Sequence, residues 1–264
     1  MTAKSLFARL GALAPFGSVN LFGMNILELI KDHALNILLP RACHCCGRDE
    51  PASYKLPLCE ECMNGLAEPG PFVCARCGVN LPDGGTHCYS CRGSKASGFK
   101  CSLIRSALVF TPELRSLVHG FKYSGRVYLK NFLAEKMRGA FDKTAEFKTA
   151  DIICPVPLHA LKHRKRGYNQ SALLAKILAQ NKNIVYDDKI LERKKNTSVQ
   201  AKLKKAERIK NVEDAFVCRA DVKGKIILLI DDVATTGSTL ESCAAALKRA
   251  KAKKVYALTL AREE

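Results

Sequence analysis

The sequence predicts an α/β domain built on a parallel sheet, preceded by a small cysteine-rich metal-binding module. Three observations carry this. From Leu103 to the carboxyl end, short apolar β-rich runs alternate with stretches of helical periodicity. One run, Ile226-Ile227-Leu228-Leu229-Ile230, contains nothing polar, as a strand covered on both faces requires. Upstream, the cysteines between Cys43 and Cys91 fall into close CxxC pairs.

The chain has 264 residues, room for one domain of ordinary size and a small module. Lys and Arg number 43 against 25 Asp and Glu, a formal charge of +18. Such an excess fits phosphates, pyrophosphate or a nucleic-acid backbone as partners, and equally a solvated basic surface. Thirteen cysteines, most of them in CxxC pairs, favour metal binding in a reducing compartment over a disulfide framework, so a cytoplasmic location is expected. No charge-free apolar run reaches the roughly 18 residues of a membrane span, and no stable membrane insertion is expected. Residues 1–23 look like a weak targeting segment, but Pro15, Gly17 and Asn20 interrupt it. A disordered start, or translation from Met24, suits them better.

Residues 1–40 read as an N-terminal extension ending in an amphipathic helix, with Ile26, Leu27, Ile30, Ala34, Leu35, Ile37 and Leu38 on one face and Pro40 as its stop. Residues 41–93 form the cysteine module. Its pairs are Cys43/Cys46, Cys59/Cys62, Cys74/Cys77 and Cys88/Cys91. Two residues between thiolates let a tight knuckle place both sulfurs on one metal, and Zn²⁺ takes four in a tetrahedron. The module should therefore hold one or two structural zinc ions, with an iron–sulfur cluster as the lesser alternative. Gly47 and Gly78 follow the second cysteine of their pairs, where a knuckle turns through positive φ. The segment repeats itself, and tandem ribbons or a cross-brace both fit. His44, Cys45 and His87 read as bystanders, because four cysteines per metal suffice.

Residues 94–98 are a linker, and 99–264 the main domain. Strands are expected at Leu103 to Phe110 and Asp151 to Cys154, with weaker ones at Ile184 to Tyr186 and at Ile190-Leu191. A helix opens at Pro112, a second spans about Tyr128 to Phe141, and a third carries Leu173, Leu174, Ile177 and Leu178. Pro155 and Pro157 stop the strand before them. A basic run, Lys162 to Arg166, follows. Residues 193–211 make a polar, lysine-rich loop suited to a lid. Lys254 to Leu260 closes the sheet.

The chemistry concentrates after the all-apolar strand. Asp231 and Asp232 stand at its carboxyl end, where open α/β sheets bind ligands. Ala234, Thr235, Thr236, Gly237, Ser238 and Thr239 then form a small turn into a helix striped by Leu240, Cys243, Ala244 and Leu247. Backbone N–H groups of such a turn converge on an anion, and the helix aims its positive end there. A phosphate at the turn with a diol or metal at the acids is the simplest ligand for both halves. No lysine follows Gly237, so this is not a Walker loop.

Residues 227–240 resemble the signature of type I phosphoribosyltransferases, which bind 5-phosphoribosyl-1-pyrophosphate (PRPP). Further stretches are similar to the ComF/GntX family of competence-associated, phosphoribosyltransferase-like proteins. They are the CxxC pairs; Phe121-Lys122-Tyr123-Ser124-Gly125-Arg126; Pro155-Val156-Pro157-Leu158-His159 through Arg166-Gly167-Tyr168-Asn169-Gln170-Ser171; and the spaced set Arg193, Thr197, Gln200, Leu203, Arg208, Asn211 and Ala215-Phe216. The resemblance implies a type I phosphoribosyltransferase fold, a parallel sheet flanked by helices, behind a zinc-finger domain. It implies Mg²⁺-dependent transfer of phosphoribosyl from PRPP to an unidentified acceptor, associated with DNA uptake or utilisation in bacteria. The second expectation is a non-catalytic PRPP or nucleotide sensor that binds single-stranded DNA or a protein of the competence machinery. On this resemblance the turn from Ala234 to Thr239 holds the 5′-phosphate, and Asp231 and Asp232 are catalytic and hold the ribose hydroxyls with Mg²⁺. Pro155, Val156, Pro157, Lys122 and Arg166 hold pyrophosphate.

Overall fold

The computed structural model describes residues 41–50, 56–92, 98–194 and 215–263. The expected N-terminal helix, linker residues 94–97 and residues 195–211 of the expected lid lie outside them. The chain divides into two compact units, residues 1–43 with 47–56 and residues 44–46 with 57–264. In the first, β1 (Arg41–Ala42) pairs antiparallel with β2 (Asp49–Glu50). Gly47 turns at φ +75° and donates its N–H to Cys43 O at 2.9 Å.

The second unit opens with the short α1 (Glu60–Asn64) and continues, after the cysteine-rich segment, into a parallel sheet. Its strands in chain order are β3 (Leu103–Val109), β4 (Ile152–Pro155), β5 (Val185–Tyr186), β6 (Leu191–Arg193), β7 (Phe216–Cys218), β8 (Ile226–Ala234) and β9 (Lys254–Arg262). Five of them form one sheet in the order β3-β9-β8-β4-β5, every neighbour parallel. β6 and β7 pair antiparallel as a separate ribbon. The helices are α2 (Pro112–Tyr123), α3 (Lys130–Asp142), α4 (Ala160–Arg166), α5 (Gln170–Lys182) and α6 (Ser238–Arg249).

The apolar run of β8 has the burial its composition demands: Ile227, Leu228, Leu229 and Ile230 are all fully buried. On one face Ile227, Leu229, Val255 and Ala257 pack with Leu240, Cys243, Ala244 and Leu247 of α6 and Phe216 of the β6–β7 ribbon. On the other, α3 lies against β3 and β9, and α5 against β4 and β8. β8 runs past Ile230 through both aspartates to Ala234, because β9 keeps pairing with it: Asp231 with Thr259, Val233 with Ala261, Ala234 with Arg262. The chain leaves β4 outward to β5 and returns on the other side of β4 to β8. The carboxyl ends of β4 and β8 therefore flank the point where the winding reverses, the crevice in which such sheets bind ligands.

Local chemistry sets the helix ends. Thr111 caps α2 by accepting from Leu114 N at 3.4 Å, and Pro112 fits the first turn. The basic run is a helix, which the sequence reading did not assign. His159 Nδ1 accepts from Leu161 N at 3.3 Å, Gly167 ends α4 at φ +82°, and His163, Arg164, Lys165 and Arg166 occupy its negative end.

Gly78 lies at φ +69°, and a Cβ there would stand 2.7 Å from Ile104 O, whereas a Cβ at Gly47 would meet nothing within 4 Å. Left-handed backbone alone costs an L-residue about 1–2 kcal/mol. Gly47→Ala should lose that much and Gly78→Ala clearly more, measured as midpoints of thermal unfolding of the zinc-loaded chain.

Candidate functional site

β8 delivers the two carboxylates in different settings. Asp231 is partly buried; its Oδ1 accepts from Ser171 Oγ at 2.9 Å and from Asp232 N at 2.9 Å. Burial, then the neighbouring Asp232 charge, push its pKa up to about 7, against the opposing pull of Ser171 and Lys122. Asp232 is 8% exposed and forms an ion pair with Lys122, Nζ to Oδ2 at 2.9 Å. Its Oδ1 accepts from Val233 N at 2.6 Å. Lys122, expected at pyrophosphate, thus sits on the carboxylate pair and at the edge of a basic cleft.

That cleft, about 290 Å³, is lined by Lys122, Tyr123, Gly125, Lys162, Lys165 and Arg166. Burial pulls the Lys162 pKa down, and the cations Arg193, Arg166 and Lys122 add to the effect. Arg166 lies over the Tyr123 ring, 4.9 Å from its centroid, and donates to Gln170 Oε1 at 2.7 Å. Crowded cations with little counter-charge attract a polyanion. Pro155 ends β4, and Val156 N donates to Ile230 O at 2.9 Å, which fixes this turn beside β8. Asn169 Nδ2 ties Val156 O at 3.0 Å to the start of α5, and the Tyr168 hydroxyl donates to Phe121 O at the end of α2. Three loops are thereby held around one crevice.

The loop after β8 turns at Gly237, φ +77°, into the first turn of α6. Thr236 Oγ1 and Ser238 Oγ lie 2.6 Å apart, and Ser238 N reaches Thr236 Oγ1 at 3.3 Å. The first-turn amides of a helix have no intrahelical acceptor, so the loop offers donors to an anion. Lys162 and Lys165 belong to the Lys162–Arg166 run, part of which was expected at pyrophosphate, and they line the cleft. Ser171, Asn169 and Tyr123 are the residues to which sequence reasoning gave no role at this crevice. The signal for Asn169 and Ser171 was the run from Arg166 to Ser171, at the Asn169 cap of α5, and for Tyr123 the stretch from Phe121 to Arg126.

The cysteines resolve into sequential groups of four. Sγ atoms of Cys43, Cys46, Cys59 and Cys62 lie within 4.8 Å of one another, as do those of Cys74, Cys77, Cys88 and Cys91. A tetrahedral zinc with bonds near 2.3 Å sets sulfurs roughly 3.8 Å apart. Cys46–Cys59 at 3.7 Å and Cys77–Cys88 at 3.6 Å match it. The donor sets fit two structural zinc ions in tandem, not a cross-brace, and His44, Cys45 and His87 stand outside both sets. The His44 ring instead meets the Tyr128 hydroxyl, at 2.6 Å from Nε2.

Residues 34–92 match the double zinc ribbon domain and residues 165–264 the phosphoribosyl transferase domain. Competence protein F of Haemophilus influenzae is 30% identical over 234 residues, covering 86% of this chain and 99% of that protein. The chain belongs to the ComF family. Within the family, the DNA utilization protein YhgH of Salmonella typhimurium is 29% identical, with 78% of this chain and 90% of that protein covered. Competence protein ComFC of Bacillus subtilis is 27% identical, with 78% and 84% covered. The fold is that of the type I phosphoribosyltransferases, with a cysteine-rich zinc ribbon module at its amino-terminal side. Among the described residues no helix is long and apolar enough to cross a membrane.

A raised Asp231 pKa means that the folded chain holds a proton which the unfolded chain gives up nearer pH 4. Its contribution is fully present below the unfolded pKa and lost as pH rises through about 7. Asp231→Asn keeps an oxygen acceptor for Ser171 and cannot ionise. It should unfold at a higher temperature than the unaltered chain at pH 8, with the gap closing as pH falls to 4. A gap independent of pH would contradict the placement of Asp231.

Proposed function

We propose that this ComF protein binds PRPP with Mg²⁺ and transfers its phosphoribosyl group to an acceptor, in support of DNA uptake or utilisation. Residues 99–264 make up the transferase domain and residues 41–93 the zinc module. The supporting observation is the carboxylate pair at the reversal of the sheet, with a helix-opening hydroxyl loop on one side and a cationic cleft on the other.

Backbone N–H groups and hydroxyls of Thr235, Thr236, Gly237, Ser238 and Thr239, with Ala234 before them, receive the 5′-phosphate. Asp231 and Asp232 accept from the ribose hydroxyls; both are half-buried or better, where such charge-assisted bonds are strong. The donor set suits a hard cation, and Asp232 already takes one in the Lys122 ammonium. Mg²⁺, when bound, would neutralise charge on the departing pyrophosphate. The turn at Pro155, Val156 and Pro157, with Lys122, Lys162 and Arg166, receives that group. As it leaves, the sugar becomes oxocarbenium-like, so these residues act by position and charge rather than by covalent chemistry. Residues 193–211 serve as the lid. The cytoplasm is the proposed location.

Asp231→Asn with Asp232→Asn removes two charged acceptors, each worth roughly 1.5–3 kcal/mol. PRPP affinity by titration calorimetry should fall at least tenfold and lose its dependence on Mg²⁺; unchanged affinity refutes the site. Pyrophosphate release across a panel of nucleobases and amines then reports turnover.

A second function is supported by Tyr123, 63% exposed, with the His119 ring at 5.0 Å and Arg166 over its face. A stacked aromatic beside cations suits single-stranded nucleic acid. In a chain that only senses PRPP or a nucleotide, this surface would engage DNA or a partner of the competence machinery. Binding of an oligothymidylate should weaken steeply with added salt, and Tyr123→Ala should reduce it at every salt concentration. Retained PRPP binding without pyrophosphate release would favour this function over transfer.

A further inference from the structure

The second zinc site is fastened to the sheet that carries the phosphate loop. β3 is an edge strand, and the cysteine-rich segment lies along it. Ile104 N donates to Arg76 O at 2.7 Å and Val109 N to Ala67 O at 2.8 Å. Two arginines of the sheet reach the knuckle. Arg105 on β3 donates to Ala75 O at 2.9 Å and Cys74 O at 3.3 Å, and Arg262 at the end of β9 donates to Cys77 O at 2.9 Å. Four thiolates on Zn²⁺ carry a net charge of about −2, which two guanidiniums at the ligand carbonyls offset.

The same residues continue to the loop. Arg262 pairs with Ala234, the last residue before the loop, and Glu263 N donates to Ala234 O at 2.9 Å. The side chain of Ile104, whose backbone holds the knuckle, lies 3.8 Å from where a Gly237 Cβ would stand. A separate tie starts beyond the last zinc ligand: Lys100 N and Cys101 N donate to Glu241 Oε2, at 2.7 and 3.2 Å, in the first turn of α6. The loop between β8 and α6 is thus pinned at its start, its bend and its exit by residues that also contact the second ribbon or its connection.

We propose that the second zinc site, Cys74, Cys77, Cys88 and Cys91, is a positioning element for the loop at residues 235–239, with Arg105 and Arg262 as the counter-charges that couple them. Its consequence for ligand affinity rests on the proposed 5′-phosphate site. The coupling itself is readable without any ligand.

The test uses the full zinc-loaded chain and the variants Arg262→Gln, Arg262→Lys and Arg105→Gln, with folding checked by circular dichroism. Zinc transfer to a chromogenic chelator should show one of two ions leaving about 10–100-fold faster in the Gln variants, the other acting as internal control. Hydrogen exchange of the peptide spanning residues 231–240 should quicken in the same variants by a similar factor. Arg262→Lys should restore part of both, because a single charged donor meets Cys77 O, whereas a merely structural defect would not follow charge. By reciprocity, saturating ribose 5-phosphate should raise the equilibrium affinity of that site for zinc, read by competition with the chelator, in the unaltered chain and less so in Arg262→Gln. Unchanged zinc release, or faster release with unchanged exchange over residues 231–240, overturns the proposal. Exchange and zinc release that respond together in a chain that binds neither PRPP nor ribose 5-phosphate uphold the coupling and refute the phosphate site instead.

Discussion

Two adjacent carboxylates at the end of a buried strand are an electrostatic liability, and the crevice is arranged around containing it. A charge enclosed by protein loses its hydration, and a like charge next to it adds repulsion. Here the load is divided. Asp232 keeps an ammonium partner in Lys122, while Asp231 is answered by neutral donors, Ser171 Oγ and Asp232 N. Each partner comes from a different crossover: Lys122 from the end of α2, Ser171 from the first turn of α5. Holding those crossovers in place is the task of the Tyr168–Phe121 and Asn169–Val156 contacts. The sheet reversal sets where the carboxylates point, and the loops make their charge tolerable.

The element around which the site is built was also the most readable in the sequence. Burial on both faces leaves β8 no polar position before Asp231, and the aspartates, loop and stripe of α6 follow without interruption, so one contiguous stretch carried the information. The strand's true end, Ala234 rather than Ile230, was hidden because pairing with β9 and not apolar content decides it. Helix α4 was missed for a related reason. Five of its seven residues are charged or polar and its two apolar ones are adjacent, so it shows no apolar period, and the helix is defined by its caps at His159 and Gly167.

What the sequence could not show was contact over long separations. Ser171 and Asp231 are 60 residues apart, and Arg262 and Cys77 are 185 apart. Nothing in the local pattern of either partner names the other. Lys122 was placed with pyrophosphate from its motif, and its pairing with Asp232 became visible only once α2 was packed. The division of the cysteines is a similar case: the CxxC spacing is the same for tandem and crossed arrangements, and only the fold distinguishes them.

The two glycines that follow the zinc knuckles lead to a last point. In sequence the ribbons look like copies of one unit, and both glycines take the same backbone turn. Yet one has open space around it and the other lies against the carbonyl of Ile104. The ribbons are therefore equivalent as metal chelators but not as building parts. Exchanging their order along the chain would keep every zinc ligand while leaving β3 with a different neighbour, so the duplication has specialised through what surrounds the metal rather than through the metal's own ligands.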